Sequence, residues 1–307
     1  MKTQFQLARL ALGLLCFVSA CKTEPPKKTC VPIGDLFNNN LGDLILTQFI
    51  SAPFPHAARA GGHNYKTNFF PAEKHYRDNT VSIFIPKNFR AEPKIDFVVH
   101  FHGWHNNVTN ALRQYELPQQ LMGSRKNAIL IVPQGPRNAP DSFGGKLEDT
   151  DGFKRFMDEV MATLRKEKRF KKAEIGNIIL SGHSGDYQVI SSILDGGGLT
   201  EKVKEVWLFD ALYAQTEKFR TWFDHSEGRF IDIYTAKGGT KDETEKLMSD
   251  LKQAGKSFLG DQESKITDHQ LRENHLIFLF SDVPHDEVLH RQKTFLRLLQ
   301  SSCLETF

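Results

Sequence analysis

The sequence has no long block of charge of one sign. Its 40 basic and 37 acidic residues are interspersed along 307 positions, so the net charge is only +3. Proteins that bind nucleic acid usually carry a basic face or stripe. The charge distribution therefore predicts no nucleic-acid partner.

Internal repeats and low-complexity segments are also lacking. With 39% hydrophobic and 25% charged residues, the composition falls in the globular range and outside the disordered and membrane-protein ranges. These observations predict one large domain, which we expect over residues 33–307.

The first 20 residues contain no acidic residue. They carry Lys2 and Arg9, and residues 10–20 are almost wholly apolar, which is the layout of a secretory signal. This apolar run is too short to span a membrane. The Val-Ser-Ala-Cys that ends at Cys21 resembles the lipobox of bacterial lipoproteins, where the cysteine is acylated and becomes the new N-terminus. The resemblance implies a signal peptide over residues 1–20 and a secreted chain that is anchored by lipid in the bacterial cell envelope. A plain signal peptide is the alternative.

Cysteine is scarce, with four in the whole chain. Cys16 lies in the predicted signal peptide and Cys21 would carry the lipid, which leaves Cys30 and Cys303 in the mature chain. An oxidising envelope permits a disulfide between them, because the termini of a domain often lie close together. Two free thiols are the alternative.

Short apolar strands alternate with amphipathic helices from residue 81 onwards. Several strands are continuous apolar runs, which is typical of strands buried on both faces. The predicted strands are 81–86, 95–102, 128–133, 175–181, 203–210, 230–235 and 275–281. The predicted helices are 108–122, 151–168, 186–194, 215–223, 241–254 and 286–300. This alternation predicts an α/β protein with a mostly parallel central sheet and helices on both faces.

The pattern is weaker before residue 81. Residues 21–32 include the adjacent pairs Pro25-Pro26 and Lys27-Lys28 and predict a short stiff tether. Apolar residues at mixed spacing over residues 33–51 suggest a helix or an ordered extension. Residues 52–74 are rich in Pro, Gly, His and aromatics, and they predict a loop.

An apolar strand runs directly into a turn of small residues and then a helix at residues 178–186. The serine of such a turn must project while the backbone folds tightly beneath it, so its neighbours must be small. Gly182, Ser184 and Gly185 resemble the nucleophile elbow of α/β-hydrolases, whose pattern is Gly-x-Ser-x-Gly. The resemblance implies that Ser184 is a nucleophile. Asp186 departs from the pattern, because the family has its final glycine there.

The same resemblance implies backbone donors for an oxyanion. In this fold one comes from the residue after the nucleophile, here Gly185, and one from the loop after an earlier strand. The predicted strand 95–102 ends in His-Gly-Trp, so the second donor is the amide of Gly103 or of Trp104. A simple turn glycine is the alternative for Gly103.

The family order is nucleophile, then acid, then histidine. His285 follows the last predicted strand, where the resemblance places the base. Asp210 ends the predicted strand 203–210, where a buried carboxylate needs a partner to avoid a desolvation cost. Asp242 lies in a Gly-Thr-x-Asp turn that many hydrolases also use. We favour Asp210 as the acid, because Asp242 is expected to be exposed.

Three closely spaced histidines suggest a second chemistry. The spacing of His100, His102 and His105 could suit a zinc site, and His100 and His102, two apart on a strand, share a face and could converge on one ion. The comparable motif of the metallo-β-lactamase superfamily has an aspartate where this chain has Trp104, and no second set of ligands is recognisable. A His-ligated metallohydrolase is therefore the weaker hypothesis, and we expect no metal.

The residues together predict a serine hydrolase that cleaves an ester or other acyl bond without a cofactor. Its expected partners are a small-molecule or acylated envelope substrate and the membrane that holds the lipid. The alternative from another class of function is a non-catalytic binding lipoprotein on a hydrolase scaffold. In that case Asp186 marks a nucleophile elbow that has lost its catalytic function. The substrate, the bond type and the oligomeric state are left open.

Overall fold

The computed structural model describes residues 40–307. The predicted signal peptide, the lipid site at Cys21, the tether and Cys30 lie outside the described residues. The strands are β1 (Gly42–Gln48), β2 (His63–Tyr65), β3 (Asn68–Phe70), β4 (Thr80–Pro86), β5 (Lys94–Phe101), β6 (Ala128–Pro133), β7 (Glu174–His183), β8 (Val203–Phe209), β9 (Arg229–Thr235), β10 (Leu259–Gln262) and β11 (Leu276–Ser281). The α-helices are α1 (Ala72–His75), α2 (Val108–Gln114), α3 (Leu117–Ser124), α4 (Gly152–Leu164), α5 (Tyr187–Gly196), α6 (Thr216–Asp224), α7 (Lys241–Gln253), α8 (Asp268–Glu273) and α9 (Thr294–Ser301).

Nine of the strands form one sheet in the order β1-β4-β6-β5-β7-β8-β9-β11-β10. The pairs β1/β4 and β4/β6 are antiparallel, and the other six pairs are parallel. Strands β2 and β3 form a separate two-stranded ribbon. The predicted mostly parallel central sheet is confirmed.

Helices cover both faces of this sheet. The apolar sides of α4, α5, α6 and α7 pack on one face, and those of α2, α3, α8 and α9 pack on the other. Strand β7 shows why the central strands are continuously apolar, because Ile178 and Leu180 enter the first core while Ile179 enters the second. Burying each such side chain contributes about 1.5–3 kcal/mol, so both faces of the strand stabilise the fold.

The prediction for the region before residue 81 was wrong in part. Of the two forms expected for the segment 33–51, a helix or an ordered extension, the helix is wrong: residues 42–48 form β1, which pairs with β4 at the sheet edge. Pairing with a neighbouring strand, which the local spacing of apolar residues does not report, decides its conformation. The predicted loop over residues 52–74 contains the β2/β3 ribbon and the start of the short α1.

Two predicted helices are shorter than expected. The predicted helix 108–122 is divided into α2 and α3, because Glu116 adopts a left-handed φ of 51° and Pro118 lies in the first turn of the new helix, which begins at Leu117. The predicted helix 286–300 starts only at Thr294, since Lys293 has a φ of 53°. A 3-10 turn at His285–Glu287 precedes it.

The carboxyl ends of the parallel strands meet at one edge of the sheet. Gly103 follows β5, Ser184 follows β7, Asp210 follows β8 and His285 lies four residues after β11. Open α/β sheets bind their ligands at this edge. Among residues 40–307, no helix has both the length and the apolar composition that crossing a membrane requires.

Candidate active site

Ser184 sits in a tight turn directly after β7. Its φ is 56°, in the left-handed region that residues other than glycine rarely adopt. The neighbouring glycines leave no room for a side chain, because a Cβ at Gly182 would lie 2.8 Å from the Cβ of Asp186, and one at Gly185 would lie 2.2 Å from Nε1 of Trp104. The small residues therefore permit the close packing of a turn that projects the serine.

Asp210 and His285 are in contact. Oδ2 of Asp210 lies 2.7 Å from Nδ1 of His285. Because an ionised carboxylate only accepts hydrogen bonds, Nδ1 carries the proton and Nε2 is the nitrogen turned away from the acid. His285 also lines, with Ser184, a cavity of about 470 Å³. The three residues that the sequence proposed for one site are therefore close together in space.

The carboxylate of Asp210 is fully buried and has several donors. Thr235 donates from its hydroxyl to Oδ2 at 2.6 Å and from its backbone N–H to Oδ1 at 3.2 Å, and the Thr240 hydroxyl also donates to Oδ1. Burial alone would raise the pKa of Asp210, but the hydrogen bonds from His285, Thr235 and Thr240 outweigh it and hold the pKa below its usual value. Asp210 therefore stays ionised beside the histidine.

Asp242 does not reach this site. It is exposed in the first turn of α7, and the turn before it contributes the Thr240 hydroxyl to Asp210 instead. Gly238, two residues before Thr240, packs directly on the acid, since a Cβ there would lie 1.7 Å from Oδ2 of Asp210. The Gly-Thr-x-Asp motif after β9 thus supports the carboxylate of Asp210, which follows β8.

Asp186 has a structural role where the family pattern has glycine. Its Oδ2 accepts from the backbone N–H of Gly103 at 2.7 Å and from that of His183 at 3.2 Å. This contact ties the loop after β5 to the turn that carries Ser184. Burial raises the pKa of Asp186 to about 8, although both backbone hydrogen bonds act in the opposite direction.

This contact bears on the second expected oxyanion donor, for which the sequence offered the amide of Gly103 or that of Trp104. The Gly103 amide is already bonded to Asp186, so it is not free to bind an oxyanion. The Trp104 amide makes no hydrogen bond to any residue within 40–307, which leaves it as the available donor of that loop. Gly103 instead provides close packing, since a Cβ there would lie 3.3 Å from Cβ of Ser184.

His183 is a residue of the site that sequence reasoning missed. Its Nε2 lies 2.9 Å from the backbone oxygen of His285, which can only accept, so Nε2 carries the proton. Nδ1 then accepts from the Tyr115 hydroxyl at 3.1 Å, and Asn106 donates to that hydroxyl at 3.2 Å. Burial lowers the pKa of His183 to about 3, so the ring stays neutral. This chain of hydrogen bonds fixes the backbone of His285. The only signal of His183 in the sequence is that a polar residue occupies a buried turn.

The proposed zinc ligands do not form a site. His102 donates from Nδ1 to the Gly103 oxygen at 2.8 Å and accepts at Nε2 from the Gly135 N–H at 3.0 Å, so both ring nitrogens are used. His100 is buried, with Nδ1 3.0 Å from the hydroxyl of Ser181. No group that includes His105 has metal-ligand geometry among the described residues.

One other cluster within residues 40–307 has the spacing of metal ligands, namely His183, His285 and Asp286. Both nitrogens of His183 are already bonded to protein atoms, and Nδ1 of His285 is bonded to Asp210. A metal there would have to break these contacts, so the residues fit a metal poorly.

Cys303 is unpaired within residues 40–307. Its expected partner, Cys30, lies outside them, so the disulfide stays a prediction. The backbone N–H of Cys303 donates to the Glu205 carboxylate at 2.7 Å and holds the C-terminal segment against β8.

Comparison with known proteins shows the fold alone. No protein-family model matches the chain, and no curated protein sequence is significantly similar to it. The structure is similar to that of a feruloyl esterase module from Clostridium thermocellum in complex with sinapinate, with a TM-score of 0.52 and 11% identity over 88% of this chain and 91% of that one. A ferulic acid esterase also has a TM-score of 0.52, with 12% identity over 85% of this chain and 98% of its own. The chain therefore has the α/β-hydrolase fold and resembles esterases in structure.

Proposed function

We propose that this protein is a serine hydrolase that cleaves an ester or a related acyl bond. The observation that carries the proposal is the 2.7 Å contact between Asp210 and Nδ1 of His285 beside a cavity that Ser184 also lines. A buried, ionised carboxylate on one side of an imidazole fixes its tautomer and stabilises its protonated form. The likeness to esterase folds is consistent with this chemistry but does not by itself assign it.

The reaction would follow from the roles of these groups. Nε2 of His285 removes the proton of Ser184 as its oxygen attacks the carbonyl carbon of the substrate. The backbone amides of Gly185 and Trp104 bind the oxygen that becomes negative. The bond to the leaving alcohol breaks as His285 returns the proton to that alcohol. Water then hydrolyses the acyl-enzyme, releases the acid and restores Ser184.

The geometry of Asp186 argues against the alternative of a non-catalytic binding protein. That alternative rested on Asp186 as the mark of a lost nucleophile turn. Its carboxyl instead accepts two backbone hydrogen bonds that join the turn to the neighbouring loop, so the departure from the pattern has a structural reason.

Turnover of p-nitrophenyl acetate tests the proposal. The wild-type protein is expected to hydrolyse this ester, and Ser184→Ala is expected to lose the activity by several orders of magnitude while keeping its circular dichroism spectrum. Turnover that survives in Ser184→Ala would remove the serine mechanism. Turnover that a chelator abolishes would favour the metal chemistry instead.

We also propose that the protein is held in the bacterial cell envelope by lipid on Cys21. This proposal rests on the sequence of residues 1–21, in which Lys2 and Arg9 precede an apolar run that ends in small residues and the cysteine. Cys21→Ser should prevent lipidation, so metabolic labelling with a fatty acid should be lost. Unchanged labelling and fractionation would contradict the anchor.

A further inference from the structure

The wall of the Ser184 cavity formed by α2 carries two free amides. Asn110 and Gln114 lie one helical turn apart, both are exposed, and both line the cavity. Neither side chain has a hydrogen-bond partner within residues 40–307, whereas the neighbouring Asn106 and Asn107 both donate to other side chains. Each free amide offers two donors and one acceptor to a bound molecule.

The cavity also lacks the groups that other ester classes require. Its lining in the described part of the chain includes no lysine or arginine and no aliphatic side chain. The acidic group is the exposed Asp286, and no basic side chain of the lining would pair with an anionic substrate. A long fatty-acyl chain would find no aliphatic side chain in this lining, whose apolar surface belongs to aromatic rings such as those of Trp104 and Tyr213.

These features favour a neutral, hydroxyl-rich alcohol over a cationic one. A single exposed carboxylate attracts a cation weakly, because solvent screens it. A quaternary ammonium group has no hydrogen-bonding atoms and could not use Asn110 or Gln114. Sugar hydroxyls both donate and accept, so they match both amides, and the lining adds the aromatic rings of Trp104 and Tyr213 beside them.

We infer that the substrate is a carbohydrate that carries a small acyl ester, and that Asn110 and Gln114 bind its free hydroxyls. The inference rests on the proposed hydrolase function and assigns the alcohol side of the substrate. Ser184 attacks the acyl carbonyl, the bond between that carbon and the sugar oxygen breaks, and the sugar oxygen takes the proton from His285. Water then releases the small acid from Ser184.

Four esters test the inference on the full mature chain. They are p-nitrophenyl acetate, an acetylated methyl xyloside, p-nitrophenyl octanoate and acetylcholine. The expected order of kcat/KM places the xyloside acetate well above acetylcholine, and p-nitrophenyl acetate well above the octanoate. A preference for the octanoate or for acetylcholine overturns the inference.

The variants Asn110→Ala and Gln114→Ala test the residues. Loss of one hydrogen bond of about 1 kcal/mol should lower the ratio of kcat/KM for the xyloside acetate to that for p-nitrophenyl acetate about fivefold in each variant, mainly through KM. Arg113→Ala is the matched control, because Arg113 is exposed on the same helix and does not line the cavity. An unchanged ratio in both amide variants, or an equal fall in the control, overturns the assignment.

The panel separates this inference from the proposed function. Hydrolysis of p-nitrophenyl acetate that depends on Ser184, without hydrolysis of the xyloside acetate, overturns the carbohydrate inference alone. A folded wild-type protein that hydrolyses none of the four esters overturns both.

Discussion

Asp210 differs from Asp242 in what surrounds its carboxylate. Asp210 is buried, contacts His285 and accepts from two threonines, whereas Asp242 is exposed on α7. Local sequence offered both as the acid, because each follows a strand in a position that hydrolases use. The sequence signal for Asp210 was its place at the end of a buried strand. Its donors Thr235 and Thr240 are 25 and 30 residues away in the sequence, and only the tertiary fold brings them to the carboxylate.

The substitution Asp210→Asn should lower kcat for p-nitrophenyl acetate by about four orders of magnitude, because the amide favours the wrong tautomer of His285. Asp242→Asn is the matched control and should change kcat less than twofold. Steady-state kinetics with circular dichroism of both variants checks this. A large loss in Asp242→Asn with a mild effect in Asp210→Asn would reverse the assignment of the acid.

Asp186 should act on catalysis through the position of the oxyanion loop. Asp186→Ala leaves the N–H groups of Gly103 and His183 without their acceptor, so we expect kcat to fall about 10- to 100-fold with little change in KM. Asp186→Asn keeps an acceptor oxygen and should retain most of the activity. Equal losses in the two variants would show that the hydrogen bonds are not the cause.

The pH dependence of kcat tests the role of Asp186 in a second way. Because its pKa is raised to about 8, the carboxyl is neutral below that pH and becomes negative as the pH rises through it. A negative charge beside the loop that we propose to bind the oxyanion opposes the transition state, so wild-type kcat should fall above about pH 8. Asp186→Asn cannot ionise and should lack this fall; the same alkaline fall in both proteins would contradict the role.

At the scale of elements, the central strands were predictable and the ends of helices were not. All seven predicted strands occur, because a strand buried on both faces leaves a continuous apolar run in the sequence. Edge strand β1 was missed because it pairs on one side with β4 and depends on that pairing. The late start of α9 depends on the left-handed φ of Lys293, and no residue preference announces that conformation at a lysine.

The loop between β9 and α7 is an element whose shape the site requires. Gly238 donates its N–H to the Thr235 hydroxyl at 2.9 Å, and a Cβ on it would lie 1.7 Å from Oδ2 of Asp210. Gly238→Ala must therefore displace the acid or the loop, and we expect kcat to fall at least about tenfold in a folded protein. Gly61→Ala is the control, because no atom lies within 4 Å of a Cβ built there. A Gly238→Ala variant with wild-type kcat would show that the loop is not rigid.

At the scale of the whole molecule, a buried acid outside the site makes stability depend on pH. Asp232 on β9 is fully buried, accepts from the Thr244 hydroxyl at 2.6 Å, and its Oδ1 has no partner within residues 40–307. Burial raises its pKa to about 7. The folded protein thus holds this proton more tightly than the unfolded chain. The stability that the protonated Asp232 contributes is therefore lost as the pH rises from about 4 through 7.

Asp232→Asn should remove this dependence, since the amide stays neutral. The free energy of unfolding of the variant relative to wild type should rise by on the order of 2–4 kcal/mol between pH 4 and pH 8. Urea unfolding at several pH values measures it, and the exposed Asp242→Asn serves as control. A difference between variant and wild type that does not change with pH would contradict a raised pKa at Asp232.

Labelling with a fluorophosphonate probe tests the central claim most directly, because the probe reacts covalently with an activated serine and leaves other serines unmodified. We predict that the wild-type protein takes up one label, that mass spectrometry of its peptides places the label on Ser184, and that Asp210→Asn labels far more slowly. Ser184→Ala should take up none. A folded wild-type protein that is not labelled, or a label that persists in Ser184→Ala, would contradict the assignment of Ser184 as the nucleophile.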